Sequence, residues 1–542
     1  MYALLFELNS IQGYLFASSR LRDVAGASEL LDRLTNKEAD DNLLGAVCRA
    51  AGVEDKVQFS RRAGGAFYAF SEDREALERL RALWTLAVQQ AAPHLGYSLG
   101  MGEGEDAGAA FQAARNAMQG DTSRLRFTLP AAAPLAERSR RTGLPAVEFG
   151  KEKDGAMDAA TVQRKAFSNP ARKNTAFLDR FKPDTANLNW DDWPFNLEDD
   201  EEGGQFPFRG DARILALIHA DGNGLGLILQ ALNHAADDRP ERFIPLYTDF
   251  SALVEKVTTT AARAATAEVL LPARKQGECL PARPILLGGD DITILVRADL
   301  AMAYVQVFAR VFEEASREAL AELAEDHRIQ GLPQRLTLGI GLVYLRASQP
   351  FHLAIRLAET LTKEAKKAAK ARNKDAPASS IAFHRVTSTL IDDYEQLEKQ
   401  TLSHRHGDDC FIDTLGAYFL GDGDECPRLD DLLSLAALLG EEDMARGPTR
   451  GLLTLMGHSL GEARARYRRW RQVMGDRQPK RLERFDALLE TLAGIRSKEK
   501  LPYAAIGDRE WRSPLGDALA LLGAGHETHP VGHRADAKEN AA

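Results

Sequence analysis

The order of apolar and polar positions is similar in two parts of the chain. Over residues 1–120, apolar runs and helical spacing predict a strand, two helices, a strand pair around Gly64-Gly65, a helix, a strand and a helix. Residues 212–384 repeat this order, and there the strand pair surrounds Gly288-Gly289. Two similar units in one chain indicate an internal duplication.

A strand-helix-strand-strand-helix-strand order is typical of the ferredoxin-like arrangement, in which the first strand lies beside the central strand pair in one antiparallel sheet. Residues 97–102 and 336–341, at the last strand of each unit, are also similar. After about Ile391 the apolar residues follow helical spacing. We therefore predict an α+β fold, with two ferredoxin-like palm domains followed by an α-helical C-terminal domain.

These patterns divide the chain into five segments. The part between the two units is rich in Pro, Arg, Asn and acidic residues, which is typical of a partly ordered insertion. The predicted segments are a first palm domain at 1–120, a connector at 121–210, a second palm domain at 211–385, an α-helical domain at 386–525 and a flexible tail at 526–542.

Composition limits the classes of protein that need consideration. Of the 542 residues, 44% are hydrophobic and 27% are charged, as in an ordinary folded protein with several domains. The sequence contains neither a signal-peptide pattern nor a run of roughly 18 apolar residues, so we expect a cytoplasmic protein without a membrane partner. The four cysteines form no C-x-x-C pair. The formal charge of −10 argues against a surface that is basic throughout, and an RNA partner would need a local basic patch.

Acidic residues follow two strands that the predicted fold makes neighbours. Asp221 ends an apolar run, and Asp290 and Asp291 follow the glycines of the second strand pair. Clustered carboxylates are the hard oxygen ligands that Mg²⁺ or Mn²⁺ prefers, and two such ions can activate a hydroxyl and hold a triphosphate. We predict that Asp221, Asp290 and Asp291 bind the metal and catalyse phosphoryl transfer.

Nucleotide-binding residues are predicted around these carboxylates. Gly288 and Gly289 lack side chains, so a nucleotide can lie close to the hairpin. Lys366, on the helix after the last strand, is predicted to reach a triphosphate. Two plainer interpretations stay open: the glycines form only a hairpin turn, and the lysine belongs to a solvated basic helix end. A calcium loop starting at Asp221 is excluded, because Leu232 stands where an EF-hand needs Glu.

Four segments resemble one known family, the large palm-domain subunit of type III CRISPR effector complexes, called the Cas-ten polymerase/cyclase. The segments are 11–16, 21–31, 220–226 and 288–291. The resemblance implies that two palm domains face each other and hold two ATP molecules, the first being degenerate because no carboxylate follows Gly64-Gly65. It also implies synthesis of cyclic oligoadenylates from ATP in antiviral defence.

The resemblance implies further residues and partners. Ser28, Gly64 and Gly65 would contact ATP, and other effector subunits, guide RNA and target RNA would be partners. Family members often begin with an HD nuclease domain, and many carry four zinc-binding cysteines between the palm domains. Neither is found in this sequence, so DNase activity is not expected and a compact or stand-alone form is a possibility.

Two other hypotheses concern the function. A non-catalytic, nucleotide-binding scaffold of a ribonucleoprotein would have no chemical need for clustered carboxylates, and a mono- or dinucleotide cyclase would have to pair two protomers. Two weaker patterns lie in the C-terminal part: a group of polar residues at 404–410, interpreted as a loop rather than a metal site, and arginines at 464–471 around Tyr467 and Trp470, interpreted as a charged helix face rather than an RNA contact.

Overall fold

The computed structural model describes most of the chain. The described residues are 1–18, 20–36, 42–122, 135–150, 154–168, 176–197, 203–237, 239–387, 391–421, 426–441, 444, 446–496 and 500–525. The predicted tail at 526–542 lies outside them.

The first unit is a four-stranded antiparallel sheet covered by helices. The strand order β2-β3-β1-β4 places the first strand between the central hairpin and the last strand, as the ferredoxin-like prediction requires. The elements are β1 (Tyr2–Asn9), α1 (Ile11–Leu15), α2 (Leu21–Thr35), α3 (Leu43–Ala51), β2 (Gln58–Ala63), β3 (Ala66–Ser71), α4 (Arg74–Ala91), β4 (Gly96–Glu103) and α5 (Ala107–Thr122).

The connector holds short elements that pack against both units. They are β5 (Glu148–Phe149), β6 (Ala156–Met157), α6 (Ala159–Phe167) and α7 (Ala176–Asp179). Helix α6 lies so close to α2 that a Cβ on Gly26 would stand 1.9 Å from the carbonyl oxygen of Arg164. Trp190 and Trp193 are buried in the same hydrophobic cluster as residues of the second unit. The insertion is therefore part of the packed structure in these described segments.

The second unit repeats the arrangement in a six-stranded sheet. Its order β14-β11-β10-β7-β9-β8 contains the same four-strand pattern, extended at one edge by β11, which is parallel to β10, and then by β14 (Tyr418–Phe419) of the C-terminal part. The elements are β7 (Ile214–Gly222), α8 (Leu225–Asp237), α9 (Phe243–Ala265), α10 (Leu271–Ala273), β8 (Ala282–Gly288), β9 (Asp291–Arg297), α11 (Ala301–His327), β10 (Leu338–Arg346), α12 (Phe351–Arg372) and β11 (Ser380–Arg385).

The similar segments 97–102 and 336–341 have the same structural reason in both units. A Cβ on Gly102 would stand 2.6 Å from the carbonyl oxygen of Ala110, and one on the equivalent Gly341 would stand 2.0 Å from that of Ala358. Real Cβ atoms do not approach backbone oxygens so closely, so glycine is needed where α5 and α12 cross their strands. The duplication predicted from the sequence is thus present in the packing of helix on sheet.

The two units are joined by aromatic contacts. Phe243 of α9 lies 5.4 Å from Phe111 of α5 and 6.0 Å from Phe70 of β3, measured between ring centroids. Phe16 lies 6.5 Å from Phe351 at the start of α12. Aromatic pairs at these distances contribute both buried area and oriented ring contacts. They hold the two sheets in one packed arrangement.

The C-terminal part is mainly helical, as predicted, but it also contains a small sheet. The elements are α13 (Tyr394–Leu397), β12 (Ser403–His406), β13 (Asp409–Ile412), β14 (Tyr418–Phe419), α14 (Leu429–Gly440), α15 (Arg446–Met456), α16 (Leu460–Arg477), α17 (Pro479–Ala493), β15 (Ala504–Ala505), β16 (Glu510–Arg512) and α18 (Leu515–Gly523). Strands β12, β13, β16 and β15 form this sheet. Such short strands have too few alternating positions to be recognised by periodicity.

Two weak patterns of the sequence are explained here. The polar group at 404–410 is a hairpin rather than a loop between helices, with His404 hydrogen-bonded to Asp413 at 2.9 Å and His406 to the Met456 carbonyl oxygen at 2.6 Å. Tyr467 and Trp470 are buried, so they pack inward from α16 as interpreted. Along the described ranges, no helix has the length and apolar character needed to cross a bilayer.

Candidate active site

The register of three strands brings the predicted carboxylates together. Ala220 of β7 lies opposite Ile292 of β9, so the next pair along this register is Asp221 and Asp291. Asp291 lies opposite Gly288 across the tight hairpin of β8 and β9. A Cβ on Gly222 would stand 2.9 Å from Oδ2 of Asp290. The two strand ends therefore place all three carboxyl groups at one edge of the sheet.

Mutual repulsion and loss of water control the charge on these groups. Desolvation, followed by the charges of Asp221 and Asp291, raises the pKa of Asp290 to about 8. Desolvation and the charge of Asp221 also raise the pKa of Asp291 to about 7, against the opposing effect of Arg61. A divalent cation bound among these groups would offset the repulsion between the carboxylates and favour their ionised forms.

Lys366 acts on the third carboxyl group. Its Nζ donates to Oδ2 of Asp221 at 2.5 Å and to the Gly222 carbonyl oxygen at 2.8 Å. Desolvation would raise the pKa of Asp221, but the Lys366 ammonium and the hydrogen bonds from Lys366 and Asp290 outweigh it and lower that pKa. The lysine reaches this position over Gly339, whose Cβ would stand 2.3 Å from Cγ of Lys366. Lys366 thus lies at the predicted site, bonded to a carboxylate.

The turns of the two hairpins meet. Gly64 and Gly65 have φ values of 60° and 72°, a left-handed conformation that glycine adopts at little cost. A Cβ on Gly288 would stand 3.3 Å from Cα of Gly64, and one on Gly64 would stand 3.7 Å from the backbone nitrogen of Gly289. The turn without carboxylates therefore lies directly against the turn that carries Asp290 and Asp291.

The first unit also contributes a polar chain to the site. Arg61, at the end of β2, donates to the Tyr68 hydroxyl at 3.4 Å, and that hydroxyl donates to Glu7 of β1. Nη2 of Arg61 lies 3.7 Å from the position of a Cβ on Gly64. The guanidinium is near enough to oppose the raised pKa of Asp291. A cation from the first unit thus faces the carboxylates of the second.

Further hydrogen bonds fix the hairpin and the strand beside it. The Thr258 hydroxyl, on α9, donates to the Gly289 carbonyl oxygen at 2.6 Å. The buried His219 of β7 is bonded through Nδ1 to the Thr293 hydroxyl at 3.0 Å, and Gln12 donates to the same hydroxyl at 3.5 Å. These contacts hold the backbone from which Asp221 and Asp290 project.

Two recesses adjoin the turns, one lined by Gly64 and Gly288 and the other by Gly289. One has a volume of about 870 Å³ and is lined by Asp221, Asp290 and Asp291 together with residues of α1 and α12. The other, of about 370 Å³, lies between the units, where α5, α8 and α9 approach the first sheet. Arg61 and Asp290 line both recesses. Both volumes are in the range of small-molecule sites.

The remaining predicted residues lie away from the larger recess. Ser28 is 3% exposed within α2, and its hydroxyl donates to the Val24 carbonyl oxygen at 2.9 Å. It shares a cavity of only about 30 Å³ with Gly64 and Gly65. The structure therefore brings together Asp221, Asp290, Asp291, Gly288, Gly289, Lys366 and Gly64, with Gly65 on the far side of the turn and Ser28 buried behind it.

Sequence reasoning missed Arg61, Thr258 and His219. The Arg61-Arg62 pair just before the Gly-Gly turn was an available signal for the first of these. Thr258 lies mid-helix and His219 mid-strand, where polar residues normally indicate only local hydrogen bonds. Their roles depend on which element lies beside them.

The donor set fits a divalent cation in its chemistry. Three carboxyl groups converge here, and the pKa is raised for Asp290 and Asp291 and lowered for Asp221. Mg²⁺ and Mn²⁺ bind carboxylate oxygens. In the described part of the chain, however, no group of three or more His, Cys, Asp or Glu side chains is arranged ready to hold a metal ion. Lys366 neutralises Asp221 in the present arrangement.

The chain has two ferredoxin-like sheets whose Gly-Gly turns face each other, and one of these turns carries carboxylates. This arrangement defines a double-palm protein. Residues 214–376 match the family model for the second palm domain of Cas10/Cmr2, which confirms on that segment the family expected from the sequence. No curated protein matches the chain.

Several solved structures are similar to the chain at low identity. A Csm1–Csm4 cassette in complex with pppApA shares 13% identity, with 96% of this chain and 68% of that chain covered and a TM-score of 0.42. Csm1 from T. onnurineus shares 13% identity, with coverages of 97% and 70% and a TM-score of 0.41. A cassette in complex with AMPPNP shares 13% identity, with coverages of 68% and 53% and a TM-score of 0.33. The chain thus spans about half to two thirds of the length of these proteins.

Proposed function

We propose that this protein is a nucleotidyltransferase that makes cyclic oligoadenylates from ATP, with Mg²⁺ or Mn²⁺ as cofactor. The observation that carries the proposal is the convergence of Asp221, Asp290 and Asp291 at one recess, which shares Arg61 and Asp290 with a second recess. Phosphoryl transfer needs little covalent chemistry from a protein and depends on positioning and charge stabilisation. A site made of carboxylates, cations and open glycine backbone supplies these.

Each residue has a proposed role. Asp221, Asp290 and Asp291 would hold the metal, which supplies an activated hydroxyl and a charge clamp on the transferring phosphate when bound. Lys366 would move from Asp221 to a triphosphate oxygen once a metal replaces it, since an ammonium group is a mobile point charge. Gly288 and Gly289 leave room for the nucleotide. Gly64 lets the first turn lie against Gly288 and form one wall of the site.

Two adjoining recesses support a reaction between two nucleotides. Asp290 lines both, so a hydroxyl from one side and a phosphate from the other can meet at the same carboxylate. A tandem arrangement within one chain also removes the need for a second protomer, which a mono- or dinucleotide cyclase built from single palm domains would require. The contact of Ser28 and Gly65 with ATP stays a prediction from the family resemblance, and both residues line the small cavity rather than the larger recess.

The proposal includes partners of the family. Other CRISPR effector subunits, guide RNA and target RNA are proposed as the assembly in which the enzyme is switched on, in antiviral defence. This part rests on the family match of residues 214–376 and on the motifs that resemble the family.

The test is product formation from nucleotide by the purified protein. Labelled ATP or GTP is incubated with Mg²⁺ or Mn²⁺, with and without RNA, and products are separated by chromatography. The variant Asp290→Ala/Asp291→Ala should make no product. Its matched control is Asp408→Ala/Asp409→Ala, which removes the two aspartates that follow Gly407 in the β12–β13 hairpin.

Two results would decide against the proposal. Equal activity in the hairpin variant and the wild type would remove the carboxylates from catalysis. ATP binding without product, under every metal and RNA condition, would favour the non-catalytic scaffold.

A further inference from the structure

Arg180, a residue of the connector, binds three separate parts of the structure. Its Nη1 donates to Oδ1 of Asp32 on α2 at 3.0 Å and to the Leu287 carbonyl oxygen at 2.8 Å. Its Nη2 lies 3.4 Å from Oε1 of Glu255 on α9. The Arg180 and Asp32 side chains are each 7% exposed. One buried guanidinium therefore joins the first palm, the connector and the second palm.

The Leu287 contact is the informative one. Leu287 directly precedes Gly288, so Arg180 holds the backbone of β8 at the point where it enters the hairpin of Asp290 and Asp291. On the other side of the turn, Thr258 donates to the Gly289 carbonyl oxygen at 2.6 Å. Glu255 and Thr258 lie one turn apart on the same face of α9. The backbone is thus held at the residues directly before and directly after Gly288.

The connector around Arg180 is itself fixed on the second palm. The Leu280 backbone N–H donates to the Asp192 carbonyl oxygen at 2.7 Å, and Arg274 pairs with Oδ1 of Asp192 at 2.5 Å. Arg283, on β8, lies with its guanidinium carbon 4.5 Å from the centre of the Trp190 ring. These contacts prevent the connector from carrying Arg180 away from β8 without breaking several buried interactions.

The chemistry of the side chain matters as well as its charge. A guanidinium has five donors in a planar fork and can bond two acceptors in different directions, whereas an ammonium is a single flexible point charge. Asp32 is acidic and only 7% exposed, and a neutral residue at 180 would remove the cation that pairs with it. The site therefore requires arginine for both geometry and charge.

We propose that Arg180 is a positioning residue that couples the connector and the first palm to the metal-binding hairpin of the second. It sets the position of Leu287 and Gly288, and hence the spacing between Asp221 and the Asp290-Asp291 pair. The effect on catalysis rests on the proposed function, while the effect on the hairpin does not. The connector is then a support of the active site rather than a passive link.

The test compares hydrogen exchange in full-length variants without nucleotide. Arg180→Lys and the double variant Arg180→Gln/Asp32→Asn weaken the contacts of residue 180 with Asp32 and with the Leu287 carbonyl oxygen. The double variant also removes the Asp32 charge that Arg180→Gln alone would leave without its partner. Arg471→Gln is the control, because Arg471 makes a comparable, slightly more exposed pair with Asp486, at 2.6 and 2.8 Å, in the C-terminal part. We expect exchange of the amides of residues 285–292 to rise at least tenfold in both Arg180 variants and to stay unchanged in the control.

Kinetics give the second readout. If the wild type makes product, Arg180→Lys should lower kcat by at least tenfold with KM for ATP within twofold, because the hairpin is displaced and the recess is kept. Unchanged exchange at 285–292 in both Arg180 variants, or an equal rise in Arg471→Gln, would overturn the proposal. If the wild type makes no product, the proposed function fails, and the exchange result still decides on Arg180.

Discussion

Gly64 and Gly288 face each other so closely that a Cβ on Gly288 would stand 3.3 Å from Cα of Gly64. The contact joins the turn of a palm without carboxylates to the turn of a palm with them. It gives Gly64 a structural role, because the first turn forms part of the wall of the recess that Asp290 and Asp291 line. The contact also makes the site sensitive to a single methyl group.

Gly288→Ala should disable the site while leaving the fold intact. Its Cβ would also stand 2.8 Å from Oδ1 of Asp291, so the carboxylate or the facing turn has to move. A displacement of this kind costs roughly 100-fold in rate. Product formation and thermal unfolding are the measurements. Gly120→Ala, on α5 with no atom within 4 Å of its Cβ, is the control and should keep full activity.

Lys366→Met should lower product formation by roughly 100-fold, as expected when one preorganised donor to a reacting phosphate is removed. Lys363→Met, on the exposed face of the same helix, is the matched control. Initial rates over a range of ATP concentrations measure the effect. The same loss in both variants would show that the charge of the helix matters rather than the contact of Lys366 with Asp221.

Arg61→Gln should impair the site from the opposite palm. The variant removes the cation that opposes repulsion among the carboxylates, and we expect a loss of roughly tenfold or more in product formation, consistent with a charge-assisted contact. Arg62→Gln is the control, since Arg62 faces away and donates to the Thr35 carbonyl oxygen at 3.1 Å. Activity that survives in Arg61→Gln but falls in Arg62→Gln would contradict the proposed role.

Asp517 should make stability depend on pH. Burial raises its pKa to about 7, although hydrogen bonds from Tyr418, Leu415 and Thr414 act in the opposite direction. In an unfolded chain the pKa of Asp is about 3.9, so between pH 4 and pH 7 the folded state binds a proton that the unfolded state lacks. Its contribution is therefore complete below about pH 4 and is lost as the pH rises through about 7, by at most about 1.4 kcal/mol per pH unit.

Urea unfolding at pH 5 and pH 8 tests this assignment. Asp517→Asn cannot ionise, and its free energy of unfolding should fall less between the two pH values than that of the wild type. An identical pH dependence in both proteins would show that Asp517 does not titrate between pH 5 and pH 8 in the folded state, which would contradict the assignment.

The sequence by itself determined the order of the elements and the ends of the critical strands. The repeated apolar pattern predicted two ferredoxin-like sheets, and the structure confirms both strand orders. Asp221 and the Asp290-Asp291 pair could be placed at strand ends because an apolar run followed by glycine marks a strand and its turn locally. The boundaries of the five predicted segments stay predictions.

Only the tertiary structure decided which residues surround the carboxylates. Lys366 and Asp221 are 145 positions apart, and Arg180 and Leu287 are 107 apart, so no local pattern relates them. The contact of the two turns depends on how the palms pack, and that packing is set by aromatic side chains such as Phe111 and Phe243. Periodicity reports which face of an element is buried, whereas the partner buried against it is fixed only when the whole chain folds.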